Sequence, residues 1–233
     1  MWHKTKNCII IMPQIQTLIL QFNNELSQND IPKFRGAVIA SLKEKNILYH
    51  NHIEDKYRYA YPLIQYKRIH QKAAIVCIGE GVKAIHELFA SDNFLFKIGE
   101  KEVEMKMDYA KAYDNNICIC DTTMYYRIRN WLPLNSENYA KYQNADSLVE
   151  KIQILERVLT GNILSFLKGV NIYLEEQLEL HITDITDQKP ATYKRVRLMA
   201  FDIEFKTNLS LPQYIGIGKN ASVGYGTLTI ITN

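Results

Sequence analysis

The run Ile15-Gln-Thr-Leu-Ile-Leu-Gln-Phe22, followed by Asp30-Ile-Pro-Lys-Phe-Arg-Gly-Ala-Val38, decides the fold. The first part clusters apolar residues as a strand does. Asp30 then offers a helix N-cap with Pro32 in the first turn. Phe34, Val38 and Leu42 recur at spacing four and carry the helix to about residue 45. Working outward, residues 56–66 and 72–79 read as strands and 80–90 as a second helix with Val82, Ile85 and Leu88 or Phe89 inward. Residues 94–98 resume extended chain. The order β-α-β-β-α-β is that of the ferredoxin-like unit, two helices on one face of a four-stranded antiparallel sheet.

A second copy follows. Residues 117–131 read as a long strand, and 147–168 as an amphipathic helix with Leu148, Ile152, Leu155, Leu159 and Phe166 on one side. Leu178, Leu180 and Ile182 alternate with polar residues, as on a half-buried strand. Residues 193–205 read as another strand, whose inward register changes between Leu198 and Phe201 and so predicts a bulge near Met199. Too few residues separate Phe205 from Gly216 for a full second helix before a closing strand at 227–231. The expected class is α+β, with tandem ferredoxin-like domains over 1–114 and 115–233 and the second copy degenerate.

Composition fits a globular protein: of 233 residues, 47% are hydrophobic and 23% charged. The apolar runs fall well short of the roughly 20 residues a spanning helix needs. The brief apolar run before Pro13 is too little for a signal peptide, so a soluble, cytoplasmic protein is expected. Cys8, Cys77, Cys118 and Cys120 lie in apolar runs and read as small buried hydrophobes, without disulfides. The Cys118-Ile-Cys120 pair lacks a second Cys or His pair at zinc spacing, so no metal and no cofactor is expected. A net charge of +3 means that any nucleic-acid surface must be local.

The C-terminus holds Gly216-Ile-Gly218-Lys219-Asn220-Ala-Ser-Val-Gly224-Tyr-Gly226, four of the ten glycines. Such a loop can aim several N–H groups at phosphate oxygens, or let another chain lie against it. It is not a Walker loop, because Lys219 is followed by Asn220. It is not a dinucleotide fingerprint either, because too little chain remains for the helix and strand beyond it. This pattern before a final strand resembles the glycine-rich loop of the RAMP superfamily of CRISPR-associated RNA-binding proteins. Within it, the closest resemblance is to the endoribonucleases that process CRISPR precursor RNA, and Ile31-Pro-Lys-Phe-Arg-Gly-Ala37 resembles that family's first helix.

The resemblance implies metal-independent cleavage of CRISPR repeat RNA to 2′,3′-cyclic phosphate and 5′-hydroxyl ends. It also implies a catalytic histidine in the loop after the first helix, where His50 and His52 stand, often paired with a tyrosine or lysine. Histidine suits either proton role near neutral pH. Tyr57, Tyr59 and Tyr61 alternate with Lys56, Arg58 and Ala60; Tyr59 is the first choice of partner, with Tyr57 and Lys56 behind it. The other histidines, His3, His70, His86 and His181, read as structural or solvated. For RNA binding the expected residues are the glycine loop (Gly216, Gly218, Lys219, Asn220, Gly224, Gly226) together with Arg127, Arg129, Lys194, Arg195 and Arg197. The expected partners are CRISPR repeat RNA and other CRISPR-associated proteins, no membrane is involved, and the chain acts as monomer or homodimer. Two other readings stand beside this one: a non-cleaving RAMP subunit that holds guide RNA, and a ferredoxin-like binder of a nucleotide or small molecule.

Overall fold

The computed structural model describes residues 13–42, 46–50, 52–53, 56–57, 60–89 and 94–232, leaving aside the side chains of His50, His52, Ile53, Lys56 and Tyr57. The first half runs β1 (Gln14–Glu25), α1 (Ile31–Ser41), α2 (Ile47–His50), β2 (His52–Ile53), β3 (Lys56–Tyr57), β4 (Ile64–Ile69) and β5 (Lys72–Ile78). It continues with α3 (Glu80–Ala84), α4 (His86–Phe89), β6 (Leu95–Ile98), β7 (Lys101–Glu104) and β8 (Met107–Asn116). The second half comprises β9 (Ile119–Trp131), α5 (Ser136–Asn144), α6 (Leu148–Gly169), β10 (Leu180–Tyr193), β11 (Val196–Leu209) and β12 (Thr227–Ile230). The two sheets are ordered β4-β5-β1-β8 and β10-β11-β9-β12, so each has the same topology, with its first strand between its third and fourth. Both are antiparallel throughout, the tandem ferredoxin-like arrangement of an α+β protein.

Local chemistry accounts for the principal helices. Ser147 accepts from the Glu150 N–H while Glu150 reaches back to the Asp146 N–H, so two orphan donors are satisfied where α6 starts. Asn135 caps α5 in the same way through the Asn138 N–H. The first sheet is buried on both faces, which explains the unbroken apolar run along β5: Ala73, Ile75 and Cys77 join Phe22, Phe34 and Tyr66 under α1, while Ala74, Val76 and Ile78 join Phe166, Phe201 and Phe205 of the second half.

Several expectations change. Residues 94–98 are not the fourth strand of the first sheet. They form β6, which pairs only with β7, and the fourth strand is β8, whose polar residues carry no apolar alternation. Residues 56–66 are two strands, not one. The helix at 80–90 is broken at Ile85, and α1 ends at Ser41. Helix α5 is additional. The strand expected at 193–205 crosses a tight turn at Lys194 and Arg195, both at positive φ (47° and 66°). Nor is there a bulge near Met199: β11 stays in register there, and the irregularities fall in β10 and β9. The change of face in β11 has another cause, since Leu198 and Ala200 turn to the first core while Phe201, Ile203 and Phe205 turn to the second.

The glycine-rich segment takes the place of the missing helix and closes the seam between the halves. Ser222 accepts the Tyr66 N–H, Val223 bridges Tyr66 as a parallel neighbour, and the Gly216 N–H donates to Gln65 Oε1 at 2.7 Å. Tyr61 donates to the Gly216 carbonyl at 2.8 Å, and Lys67 Nζ donates to the Ala221 carbonyl at 2.9 Å. A Cβ on Gly216 would stand 2.5 Å from Lys67 Nζ, and one on Gly226, at φ 62°, would collide with the Ile217 carbonyl.

Lys67 is fully enclosed, and that burial lowers its pKa from the usual 10.5 to about 7. Through Lys67 alone, the unfolded chain binds one more proton than the folded one between about pH 7 and pH 10.5, a contribution that raises stability with pH. Cys77, Tyr61 and Tyr66, each held well above its usual range by burial, reverse the trend once the unfolded thiol ionises at about pH 8.5 and the unfolded tyrosines at about pH 10. Urea unfolding should accordingly show stability rising from about pH 7 to 8.5, a rise that Lys67→Met loses; equal slopes in the two proteins would remove Lys67 as its source.

Candidate nucleic-acid interface

The two candidate histidines sit on a short segment tethered to the first half's helices. The Tyr49 hydroxyl, buried, donates to the Ala84 carbonyl of α3 at 3.1 Å, and Asn46 donates to Glu87 of α4 at 2.6 Å. His50 is the last residue of α2 and His52 the first of β2. In the two-residue ladder that follows, His52 is the register partner of Tyr57, and Ile53 that of Lys56. The structure thus brings His52, Tyr57 and Lys56 onto one small hairpin directly after His50, while Tyr59 lies outside the described residues. Tyr61, third of the tyrosine series, serves the seam: its ring packs edge-on against Phe166, 5.0 Å between centroids.

The expected basic residues do not act alike. Arg127 is paired with Glu204 across the sheet. Arg129, two residues on, is exposed, and among the described residues its guanidinium has no ion-pair partner. Arg195 lies in the β10–β11 turn rather than on the strand face with Arg197, and Lys194 sits 5.8 Å over the Tyr193 ring. Arg197 borders an apolar hollow with Tyr139, Pro190 and Val196. In the glycine loop, Gly216, Gly224 and Gly226 are packed inside, and Lys219 is the residue its tip exposes.

At one end of the seam the halves leave a polar cleft of about 380 Å³. Arg68 and His70 enter it from the β4–β5 hairpin, Arg129 and Asn130 from β9, Thr227 and Thr229 from β12, and Gln28 from the turn before α1. Five lining residues hold the left-handed backbone conformation: His70 (φ 48°), Gln71 (67°), Asn130 (51°), Tyr214 (63°) and Gly224 (85°). At His70 and Gln71 this conformation is that of the two-residue β4–β5 hairpin turn, and at Gly224 it is open to glycine, so the shape of the cleft wall is fixed by backbone geometry. Two guanidiniums with amide and hydroxyl donors make the cleft a receptor for an anion such as a phosphodiester. Arg68 and Gln28 were not legible as site residues, since only docking of the halves brings them to Arg129.

Among the described residues, no group of three His, Cys, Asp or Glu side chains is placed to hold a metal ion, and no helix is long and apolar enough to cross a membrane.

Comparison with known proteins agrees with this architecture. The Cas6b N-terminal domain model matches residues 13–115 and the Cas6b C-terminal domain model residues 118–231. A crystal structure of Cas6b, 27% identical, superposes with a TM-score of 0.86 over 94% of this chain and 100% of its own. A second, of a CRISPR RNA processing endoribonuclease Cas6b, gives 0.73 at the same identity and coverage. An uncharacterized protein of Methanocaldococcus jannaschii is 33% identical over 121 residues, 52% of this chain and 81% of that one. With both domain models filled, from residue 13 through residue 231, the chain belongs to the Cas6b family.

Proposed function

We propose that this protein is a metal-independent endoribonuclease that cuts CRISPR repeat RNA. A 2′-hydroxyl of the RNA attacks the adjacent phosphate, leaving a 2′,3′-cyclic phosphate and a 5′-hydroxyl. The observation that carries this reading is the hairpin register, which pairs His52 with Tyr57 and sets Lys56 one position away, immediately after His50, in a chain of the Cas6b family.

The chemistry needs a base for the 2′-hydroxyl, an acid for the departing 5′-oxygen, and donors for charge on the phosphorane. His50 or His52 takes a proton role, assisted by Tyr59, with Tyr57 and Lys56 next in line. The first half, 1–114, carries this machinery. The second, 115–233, holds the RNA through Arg129, Arg197, Lys194, Arg195 and the loop tip at Lys219 and Asn220, with Gly216, Gly218, Gly224 and Gly226 shaping the loop and Arg127 contributing less because Glu204 neutralises it. No cofactor takes part. The reaction takes place in the cytoplasm, with the chain as monomer or homodimer and with other CRISPR-associated proteins as further partners.

Cleavage of a labelled repeat RNA in EDTA tests the reading. Wild type should cut at one position, an RNA with 2′-deoxyribose there should resist, and His50→Ala or His52→Ala should slow the reaction roughly 100 to 10,000-fold. RNA that binds but is never cut would favour the non-cleaving subunit, and histidine variants that cut like wild type would overturn the assignment.

The charge pattern makes a separate prediction about binding. Arg129→Ala should reduce the slope of log affinity against log salt by about 0.7 for a single-stranded substrate, the share of one neutralised phosphate, while Arg127→Ala should change it much less. Filter binding at several salt concentrations decides this, and equal slopes for the two variants would refute the distinction.

A further inference from the structure

Cys118 and Cys120 take no part in the proposed RNA site, and they differ from Cys77. Cys77 is fully enclosed in β5, and burial pushes its thiol far above the usual range. Cys118 and Cys120 are each partly exposed, and their Sγ atoms stand 3.8 Å apart. Residues two apart on an extended chain project to one side, so the two thiols lie side by side. Partial burial and the neighbouring Cys120 sulfur raise the pKa of Cys118.

Their position is also particular. β8 ends at Asn116 and β9 begins at Ile119, so Cys118 lies in the segment that joins the two halves and Cys120 is the second residue of β9. The Cys118 carbonyl accepts the Ser210 N–H at 3.0 Å, where β11 gives way to the chain leading into the glycine loop. Ile119 is the register partner of Leu209.

We infer that Cys118 and Cys120 are a redox modification site, closing a reversible intrachain disulfide at the junction of the two halves. The co-reactant is a low-molecular-weight disulfide. One cysteine, as thiolate, attacks a sulfur of that molecule; its S–S bond breaks and one small thiol leaves. The second cysteine then attacks the cysteine sulfur of the mixed disulfide, the Sγ–Sγ bond forms, and the second small thiol leaves. Two electrons pass from the cysteine pair to the small disulfide, and the two cysteine protons end on the two thiols released.

Closure shortens the segment. Two extended residues span about 6.6 Å, whereas disulfide-bonded Cα atoms are mostly about 5.5 to 6 Å apart. The ring therefore pulls Cys118 away from Ser210 and loosens the Ile119–Leu209 pairing. A bond closed against its surroundings in this way is readily reduced.

The test uses the folded, full-length chain exposed to oxidised glutathione, then alkylated and digested with trypsin. The peptide 112–127, which contains both cysteines, should lose the mass of two hydrogens and carry no alkyl group; excess reduced glutathione should restore both thiols. Cys118→Ser should instead keep glutathione on Cys120. Hydrogen exchange at the Ser210 amide should quicken about tenfold or more in the oxidised protein, as the opening of its hydrogen bond requires. The proposal is overturned if wild type retains glutathione on either cysteine, if the peptide becomes linked to Cys8 or to a second chain, if both thiols stay alkylatable, or if the Ser210 amide exchanges at an unchanged rate.

Discussion

The fold depends on a strand edge covered by the backbone of a glycine-rich loop. β4 ends its sheet, and an exposed edge strand presents unpaired N–H and C=O groups. In the first half the covered face of that sheet carries α1; the opposite face must be buried by the second half, yet it bears Gln65 and Lys67 as well as Ile15, Ile19 and Val76. Polar side chains in an interior need partners. The glycine segment supplies them from its backbone: the Gly216 amide for Gln65, the Gly216 carbonyl for Tyr61 and the Ala221 carbonyl for Lys67. Only a chain without Cβ atoms at Gly216 and Gly226 can come that close. The conformational cost of glycine is offset here by hydrogen bonds that no ordinary helix face would make.

This explains what could be read from the sequence. β1, α1, β5, β9, α6 and β12 follow apolar periodicity or capping, and each was legible because its own residues set it. β8 was not: Met107–Asn116 is mostly exposed, and its ladder to β1 holds it in place rather than any apolar pattern. Leu198 and Ala200 of β11 face one core and Phe201, Ile203 and Phe205 the other, so a pattern built by two different neighbours looked like a bulge. The site divides in the same way. The glycine cluster and the histidine loop were visible as local composition, but Arg68 and Arg129 meet only after the halves dock. Arg127 and Arg129, indistinguishable by spacing, are separated by a single carboxylate, Glu204, that belongs to another strand.

That separation bears on how a chain of such modest charge attracts RNA. The formal net charge of +3 counts Lys67 as a cation. With burial lowering its pKa to about 7, Lys67 is a weaker cation than the formal count assumes, and it lies in the interior rather than at the surface. Lys33, Lys83, Lys141 and Lys189 are likewise engaged with carboxylates. These pairings reduce the cationic surface that could attract RNA over the whole molecule, so the placement of uncompensated cations matters more than the net charge. Arg129 is placed where the backbone is already fixed in left-handed conformations around a concave, donor-lined cleft, so a phosphate arriving there meets groups that need little reorganisation. The same seam that uses glycine to satisfy Gln65 and Lys67 thus also builds the cleft, because Gly224 and Tyr214 line it from the loop while His70 and Gln71 line it from the hairpin joined to β4.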